Sequence, residues 1–402
     1  MALSIHAQVR PDQWAIAPHV IRLETSILRE ILKISAQPGV ISFAGGLPAP
    51  ELFPLEDLKR ITGEVVDKYG PAAFQYSLSR GVPAFVEMLA DRATAAGSLT
   101  GKDNVLVTAG SQQAIELVAR AFITKGDYVM VENPTYVGAL QAFNYYQAKY
   151  VTVQTDRDGM LVDEVEEKIR QCHPKLIYTV SNFQNPTGIT MSEDRRRALV
   201  DIGAKYNIPI VDDNPYGEIR FAGIPAPSLK SIGGDGVISL QSFSKIVAPG
   251  LRMGWINGPS AIMGQFEKVK QCTDLHTSTF SQFLLYEYIA QGLLEPHIEE
   301  IKATYLKKRN TMMSALEAYF PEGVTWTNPE GGLFLWLDLP KHVSAKDLLP
   351  KAIESKVAYV YGSPFFACGG GENTMRLGFS NPACDEITEG IKRLGKLIKE
   401  AV

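Results

Sequence analysis

Between roughly residues 100 and 257, short apolar runs alternate with segments patterned for helices. The strand candidates are "NVLVTAG", "DYVMVENP", "AKYVTVQ", "KLIYTV", "IPIVDDNP", "GVISLQS" and "RMGWING"; helical patterns such as "SQQAIELVARAF" and "SEDRRRALVDIGAKY" fill most of the gaps. This alternation predicts an α/β fold built on a mainly parallel sheet with helices on both faces. Ligands of such sheets gather at the carboxyl ends of the strands, so the loops that follow the strands are where chemistry is expected.

From about residue 260 to 318 the pattern is continuously helical. Then "GGLFLWLDLP" alternates like a strand, ahead of "KDLLPKAIESK", "VAYVYG", "TMRLGFS" and a final helix. This reads as a second, smaller α/β domain, in keeping with a chain of 402 residues against a usual domain size of roughly 100 to 200. Residues 1–48 hold one short helix, "TSILREILKIS", and a Gly/Pro loop, too little for a core of their own. The expected division is an arm at 1–48 packing on the small domain or on a partner, a large ligand-binding domain at 49–300 and a small domain at 301–402.

Several chemistries are unsupported. With 40 Lys+Arg against 44 Asp+Glu the net charge is −4, which gives no electrostatic case for nucleic acid or an anionic membrane. Cys172, Cys272, Cys368 and Cys384 form no CxxC pair, the six histidines never fall at ligand spacing, and neither HExxH nor GxSxG occurs, so no metal site or serine hydrolase is expected. "GSLTGKD" is short by one residue for a P-loop and has Asp103 where a magnesium-binding Ser or Thr is required, so it reads as a turn. No GxGxxG follows the first strand. The start lacks an apolar leader and no run of about 18 apolar residues occurs, which reads as a cytoplasmic protein.

The strand-end loops carry Ser111 and Gln112 after "VLVTAG", Tyr136 in "NPTY", Asn185 in "NPTG", Asp213 and Tyr216 in "VDDNPY", and Ser242, Ser244, Lys245 and Arg252 in "SFSKIVAPGLRMGW". Ser111 opens a helix directly after Gly110, and a helix N-terminus binds phosphate through free N–H groups and its positive dipole end. Two serine hydroxyls and Arg252 complete a phosphate cup. A lysine beside that cup is poorly solvated and close to another cation, conditions that lower its pKa and free its amine as a nucleophile. A phosphorylated cofactor bearing an aldehyde would trap it.

This constellation, over essentially the whole chain, resembles the fold-type I pyridoxal-phosphate aminotransferases of class I/II, with "SFSKIVAPGLRMGW", "NPTG" and "DDNPY" as the specific elements. The resemblance implies pyridoxal 5'-phosphate as cofactor. It implies that Lys245 bonds the cofactor aldehyde, is displaced by the amino substrate, and then moves the proton between the substrate α-carbon and the cofactor. Asp213 would pair with the pyridine nitrogen. Its neighbour Asp212 competes for that role, and the three-residue step to Tyr216 in the family motif selects Asp213. Asn185 and Tyr216 would hydrogen-bond the ring's phenolic oxygen, and Tyr136 would lie against the ring face. Ser111, Gln112, Ser242, Ser244 and Arg252 would hold the phosphate. Tyr76, in "FQYSLSRG", would reach the phosphate of a neighbouring subunit, implying a homodimer with shared active sites. Arg376, in "MRLGFS", would bind the substrate α-carboxylate through its planar fork.

The stretch "TSILREILKISAQPGVISFAGGLPAPELFP" resembles the subgroup that contains 2-aminoadipate and kynurenine aminotransferases, and the aminotransferase-like domain of some bacterial regulators. In that subgroup this helix and the Gly pair, here Gly45 and Gly46, lie over the substrate side chain. Arg29 stands where some members place an arginine for a distal carboxylate, with Ser26 one turn earlier. The expected reaction is a ping-pong transfer from glutamate, 2-aminoadipate, an aromatic or a branched-chain amino acid to a 2-oxo acid such as 2-oxoglutarate. A β-lyase or decarboxylase on the same fold is the alternative. A cofactor-sensing regulator is disfavoured, because only about 40 residues precede "GVISFAGG".

Overall fold

The computed structural model describes residues 14–21, 23 and 38–402. In chain order its strands open with β1 (Ile41–Ser42), β2 (Val105–Thr108), β3 (Tyr128–Asn133), β4 (Lys149–Asp156), β5 (Gly159–Met160), β6 (Leu176–Thr179), β7 (Ile210–Asp213), β8 (Val237–Ser242) and β9 (Gly254–Asn257). All but β1 form one sheet in the order β2-β9-β8-β7-β6-β3-β4-β5. Strands β2, β3, β4, β6, β7 and β8 run in one direction, while β5 and β9 run against it. Neighbouring residues of one strand serve opposite layers, as the two-residue repeat of an extended chain requires. Val129 and Val131 enter the main core, whereas Met130 joins a smaller core with Ile169, Leu199 and Ile210.

The helical patterns become helices where their apolar stripes can reach this sheet. Ser111–Phe122 buries Ala114, Ile115, Leu117, Val118 and Ala119, an i, i+3, i+4 stripe. In Glu193–Tyr206, Arg196 is fully buried and donates to the carbonyls of Met191, Pro227 and Ser181 and to Asn182. The alternation of strand and helix stops at β9. That strand returns directly after β8 and inserts antiparallel between β8 and β2, with Ser242 opposite Gly254. Only glycine fits at 254, since a Cβ there would lie 2.6 Å from the Gln241 carbonyl.

The later helical region is three helices, Ser260–Gln271, Thr279–Ala290 and Leu294–Tyr319. The last of these carries the chain into the second α/β layer, so residue 300 lies within a helix. That layer adds β10 (Thr325–Trp326), β11 (Phe334–Asp338), β12 (Val357–Ala358), β13 (Val360–Tyr361) and β14 (Thr374–Gly378), with an antiparallel sheet ordered β10-β11-β14-β13. Helices Ala345–Glu354 and Cys384–Lys399 accompany it. From the arm, β1 pairs in parallel with β12. "GSLTGKD" ends in a single 3-10 turn, Lys102–Asn104. The helix expected at "TSILREILKIS" lies outside the described residues. Among the described residues no helix is long and apolar enough to cross a membrane.

Gly378, the last residue of β14, donates its N–H to Phe43, and a Cβ on it would lie 2.5 Å from the Gly45 carbonyl. Backbone cannot yield as a flexible side chain can. Gly378→Ala is therefore expected to cost about 1–3 kcal/mol, measured as a lower urea midpoint; an unchanged midpoint would show that the arm is not held at this point.

Candidate active site

At the carboxyl ends of β2, β6, β7 and β8 lies a cavity of about 240 Å³, closed on its far side by Phe334 and Arg376 of the second layer and by Ala44, Gly46 and Leu47 of the arm. One end is an anion cradle. Helix Ser111–Phe122 starts after Gly110 with no side chain capping it, so its first N–H groups are available to a ligand. Gly110 has φ 82°, and a Cβ on it would lie 2.7 Å from Nη2 of Arg252. Glycine is thus what admits the guanidinium to the helix terminus. Arg252 is itself held in the left-handed region at φ 49° and donates to the carbonyls of Ala109 at 3.1 Å and Pro249 at 3.3 Å. Ser242 Oγ accepts from the Ser244 N–H at 3.1 Å, which fixes the two serines beside the cradle.

Lys245 follows within the same β8–β9 connection, in a turn closed by Val247 N–H to the Phe243 carbonyl at 2.9 Å. Its Nζ donates to the Gly46 carbonyl at 2.8 Å. Burial, reinforced by the positive charges of Arg376 and Arg252, pulls the amine down to about 8. A Lys amine near 8 carries at neutral pH a far larger free-amine fraction than an ordinary lysine, and that fraction is a nucleophile and a proton acceptor.

Across the cavity, Asp213 ends β7. Burial pushes its carboxyl up to about 7, against the lowering effect of a hydrogen bond that Oδ2 accepts from the Tyr178 hydroxyl at 2.7 Å. Oδ1 is buried with no partner among the described residues. An orphaned acceptor in a cavity that also holds a nucleophilic amine and an anion cradle fits the ring N–H of a protonated pyridine, and the residues present therefore suit pyridoxal 5'-phosphate. Asp212 points to the opposite face of the strand, where it accepts from the Ser181 hydroxyl at 2.7 Å, so strand alternation decides between the two aspartates.

Asn185 and Tyr216 sit side by side, Nδ2 to hydroxyl 3.5 Å, and burial pushes the Tyr216 hydroxyl up. The Tyr136 ring lies over Gly138, where a Cβ would come within 2.5 Å of it. Burial and the nearby Asp213 push its hydroxyl up to about 12, so it stays neutral.

Arg376 arrives on β14, opposite Trp336 of β11. Its Nη1 donates to Asn185 Oδ1 and its Nη2 to the Ala44 carbonyl, both at 2.7 Å, while Nε has no partner among the described residues. The guanidinium lies over the Phe334 ring, 4.3 Å from its centroid. Burial lowers it to about 10, so it remains charged at neutral pH. Gly46 is likewise forced, as a Cβ there would sit 2.6 Å from Phe334.

Ser111, Gln112, Tyr136, Asn185, Asp213, Tyr216, Ser242, Ser244, Lys245, Arg252, Arg376 and Gly46 thus line one cavity. Tyr76 is not among them. It is 79% exposed, with its ring edge-on to His276. Arg29 and Ser26 lie outside the described residues. Two contributors were not legible as site residues: Phe334 reads as a core position in "GGLFLWLDLP", and Tyr178 as one of an apolar strand. Among the described residues no cluster of His, Cys, Asp and Glu could hold a metal ion.

The family profile "Aminotransferase class I and II" matches residues 54–394. An aromatic-amino-acid aminotransferase of Thermococcus litoralis is 44% identical over 94% of this chain and 92% of its own length. A 2-aminoadipate transaminase of Thermus thermophilus is 37% identical over 97% of this chain and 98% of its own. Among solved structures, the kynurenine aminotransferase of Pyrococcus horikoshii in complex with PMP superposes with a TM-score of 0.93 at 43% identity, covering 96% of this chain and 97% of that one.

Only the neutral amine attacks an aldehyde. The rate at which the apoprotein captures pyridoxal 5'-phosphate, followed by absorbance, is expected to rise with pH up to about 8 and level off above it. A rate still climbing beyond pH 10 would show Lys245 to be an ordinary lysine.

Proposed function

The chain belongs to the class I and II aminotransferases, pyridoxal-phosphate enzymes of fold type I, and we propose that it moves the amino group of an aromatic, kynurenine-like or 2-aminoadipate-type L-amino acid to 2-oxoglutarate by a ping-pong mechanism. The observation that carries this reading is the joining, in one cavity, of the Lys245 amine with its lowered pKa, the Asp213 Oδ1 that has no partner among the described residues, and the charged Arg376 fork.

When bound, the cofactor supplies an aldehyde to accept the amine and a ring that withdraws electrons from the substrate α-carbon. The chain does the rest. The N–H groups at Ser111 and Gln112, with Ser242, Ser244 and Arg252, hold the phosphate and so set the position of the aldehyde relative to Lys245. Asp213 Oδ1 accepts the ring N–H, and Asn185 and Tyr216 donate to the phenolic oxygen. Tyr136 covers one ring face. Arg376 clamps the α-carboxylate, which places the α-hydrogen within reach of Lys245. With its amine free, Lys245 would be the base that takes the proton from the substrate α-carbon and the acid that gives it up again.

The substrate side of the cavity presents Ala44, Leu47 and Phe334, and its cations among the described residues are Lys245, Arg252 and Arg376. This apolar wall supports an aromatic or long aliphatic side chain. A distal carboxylate would need a further cation, the role we propose for Arg29. Substrate half-reactions scored by cofactor absorbance, followed by transfer to added 2-oxoglutarate, test the proposal. Aromatic amino acids, glutamate and 2-aminoadipate are expected to react, and Arg29→Ala to lose only the acidic ones, by about tenfold or more. Uniform loss would refute the Arg29 role, and amino acid consumption without transfer to 2-oxoglutarate would refute the transaminase reading of these substrates.

We further propose a homodimer in which Tyr76 completes the neighbour's phosphate site. Its exposure, beside the exposed Phe74 and Leu78, supports this. Lys245→Ala and Tyr76→Ala are each expected to be impaired, the first completely. Mixed dimers of the two should regain activity, because one of their two sites then carries both native residues. A mixture no more active than the sum of its parts would count against shared sites.

A further inference from the structure

Tyr178 lies on β6 opposite Val211 of β7, so it shares a sheet face with Asp213 two residues further along β7. The side chain is fully buried, its ring edge-to-face with Phe143 at 5.5 Å. Packing alone would be served as well by phenylalanine. The hydroxyl instead donates to Asp213 Oδ2 at 2.7 Å, while Oδ1 has no partner among the described residues. A buried carboxylate that accepts one such hydrogen bond has one oxygen immobilised and holds a further proton less strongly.

We propose that Tyr178 is a positioning residue for the cofactor's ring nitrogen: it leaves Oδ1 as the acceptor facing the cavity and keeps the shared proton on nitrogen. The balance involves one proton only. With the Tyr178 bond present, the pair is ring N–H with ionised Asp213; without it, that proton passes to Oδ1 and leaves a neutral nitrogen facing a neutral acid. The other charges around Asp213 are Asp212 behind it and Lys245, Arg252 and Arg376 around the cavity, and none is altered by changing Tyr178. A neutral ring is the poorer electron sink, so this contact bears on the chemistry through Asp213 and not through the substrate. The inference rests on the cofactor and is independent of the substrate proposed above.

The test is Tyr178→Phe, loaded with pyridoxal 5'-phosphate labelled with 15N in the ring. The nitrogen signal is expected to move from the protonated toward the neutral pyridine range, and cofactor affinity of the apoprotein to fall about tenfold or more. A folded variant whose nitrogen signal stays at the native position overturns the proposal, whatever its activity. If Tyr178→Phe does not fold, 4-aminophenylalanine installed at position 178 keeps the shape with a weaker donor. It is then expected to shift the signal the same way by less, and an unmoved signal there is equally fatal. Native protein binding the labelled cofactor with a protonated ring is the control, so failure of cofactor binding itself is read separately.

Discussion

The antiparallel return of β9 beside β8 is the constraint on which the site depends. In a strictly alternating fold a helix would follow β8 and carry the chain away from the strand ends. Here the ladder from Ser242–Gly254 onward forces residues 243–253 to turn back over the sheet's carboxyl edge. The turn takes its shape from Phe243–Val247, the 3-10 segment Pro249–Leu251 and the left-handed Arg252. Lys245 and Arg252 consequently enter one cavity from opposite ends of a single loop. Close contact of Gly254 with Gly110 ties that loop to the helix terminus that forms the rest of the cradle.

Around this loop the molecule concentrates like charges that folding alone would separate. Lys245, Arg252 and Arg376 line one small space with Asp213 as the carboxylate. Each is disturbed or held in a manner that suits a ligand: the amine pulled down, the carboxyl pushed up, the guanidinium charged, with Asp213 Oδ1 and Arg376 Nε both lacking a partner among the described residues. Buried polar groups left incomplete are unfavourable. In the function proposed above, a phosphate, a ring N–H and an α-carboxylate would be the partners that complete these groups. Perturbed groups clustered in this way are the usual signature of a site of chemistry.

Much of this was legible residue by residue. "SQQAIELVARAF" is the helix Ser111–Phe122, because its apolar stripe and the preceding glycine are local properties. "SFSKIVAPGLRMGW" reads as a turn for the same reason. Other features were hidden by being ordinary. "KLIYTV" is an apolar strand in which nothing marks Tyr178, since its partner Asp213 is 35 residues away and only the β6–β7 register brings them together. Phe334 looks like any strand aromatic until Arg376 stacks on it. "RMGWING" is a correct strand, but its direction is set by pairing with β8 and β2, which periodicity does not encode.

By itself the sequence determined the fold class, the family and the loops that bring Ser111, Lys245 and Arg252 to the strand ends, because each depends on residue types at short, regular spacing. The tertiary structure decided what depends on long-range pairing. Asp213 rather than Asp212 faces the cavity because strand residues alternate. Arg376 meets Asn185 across 191 positions because β14 and the arm close over the strand ends, and the free oxygen of Asp213 is aimed by a tyrosine on the neighbouring strand.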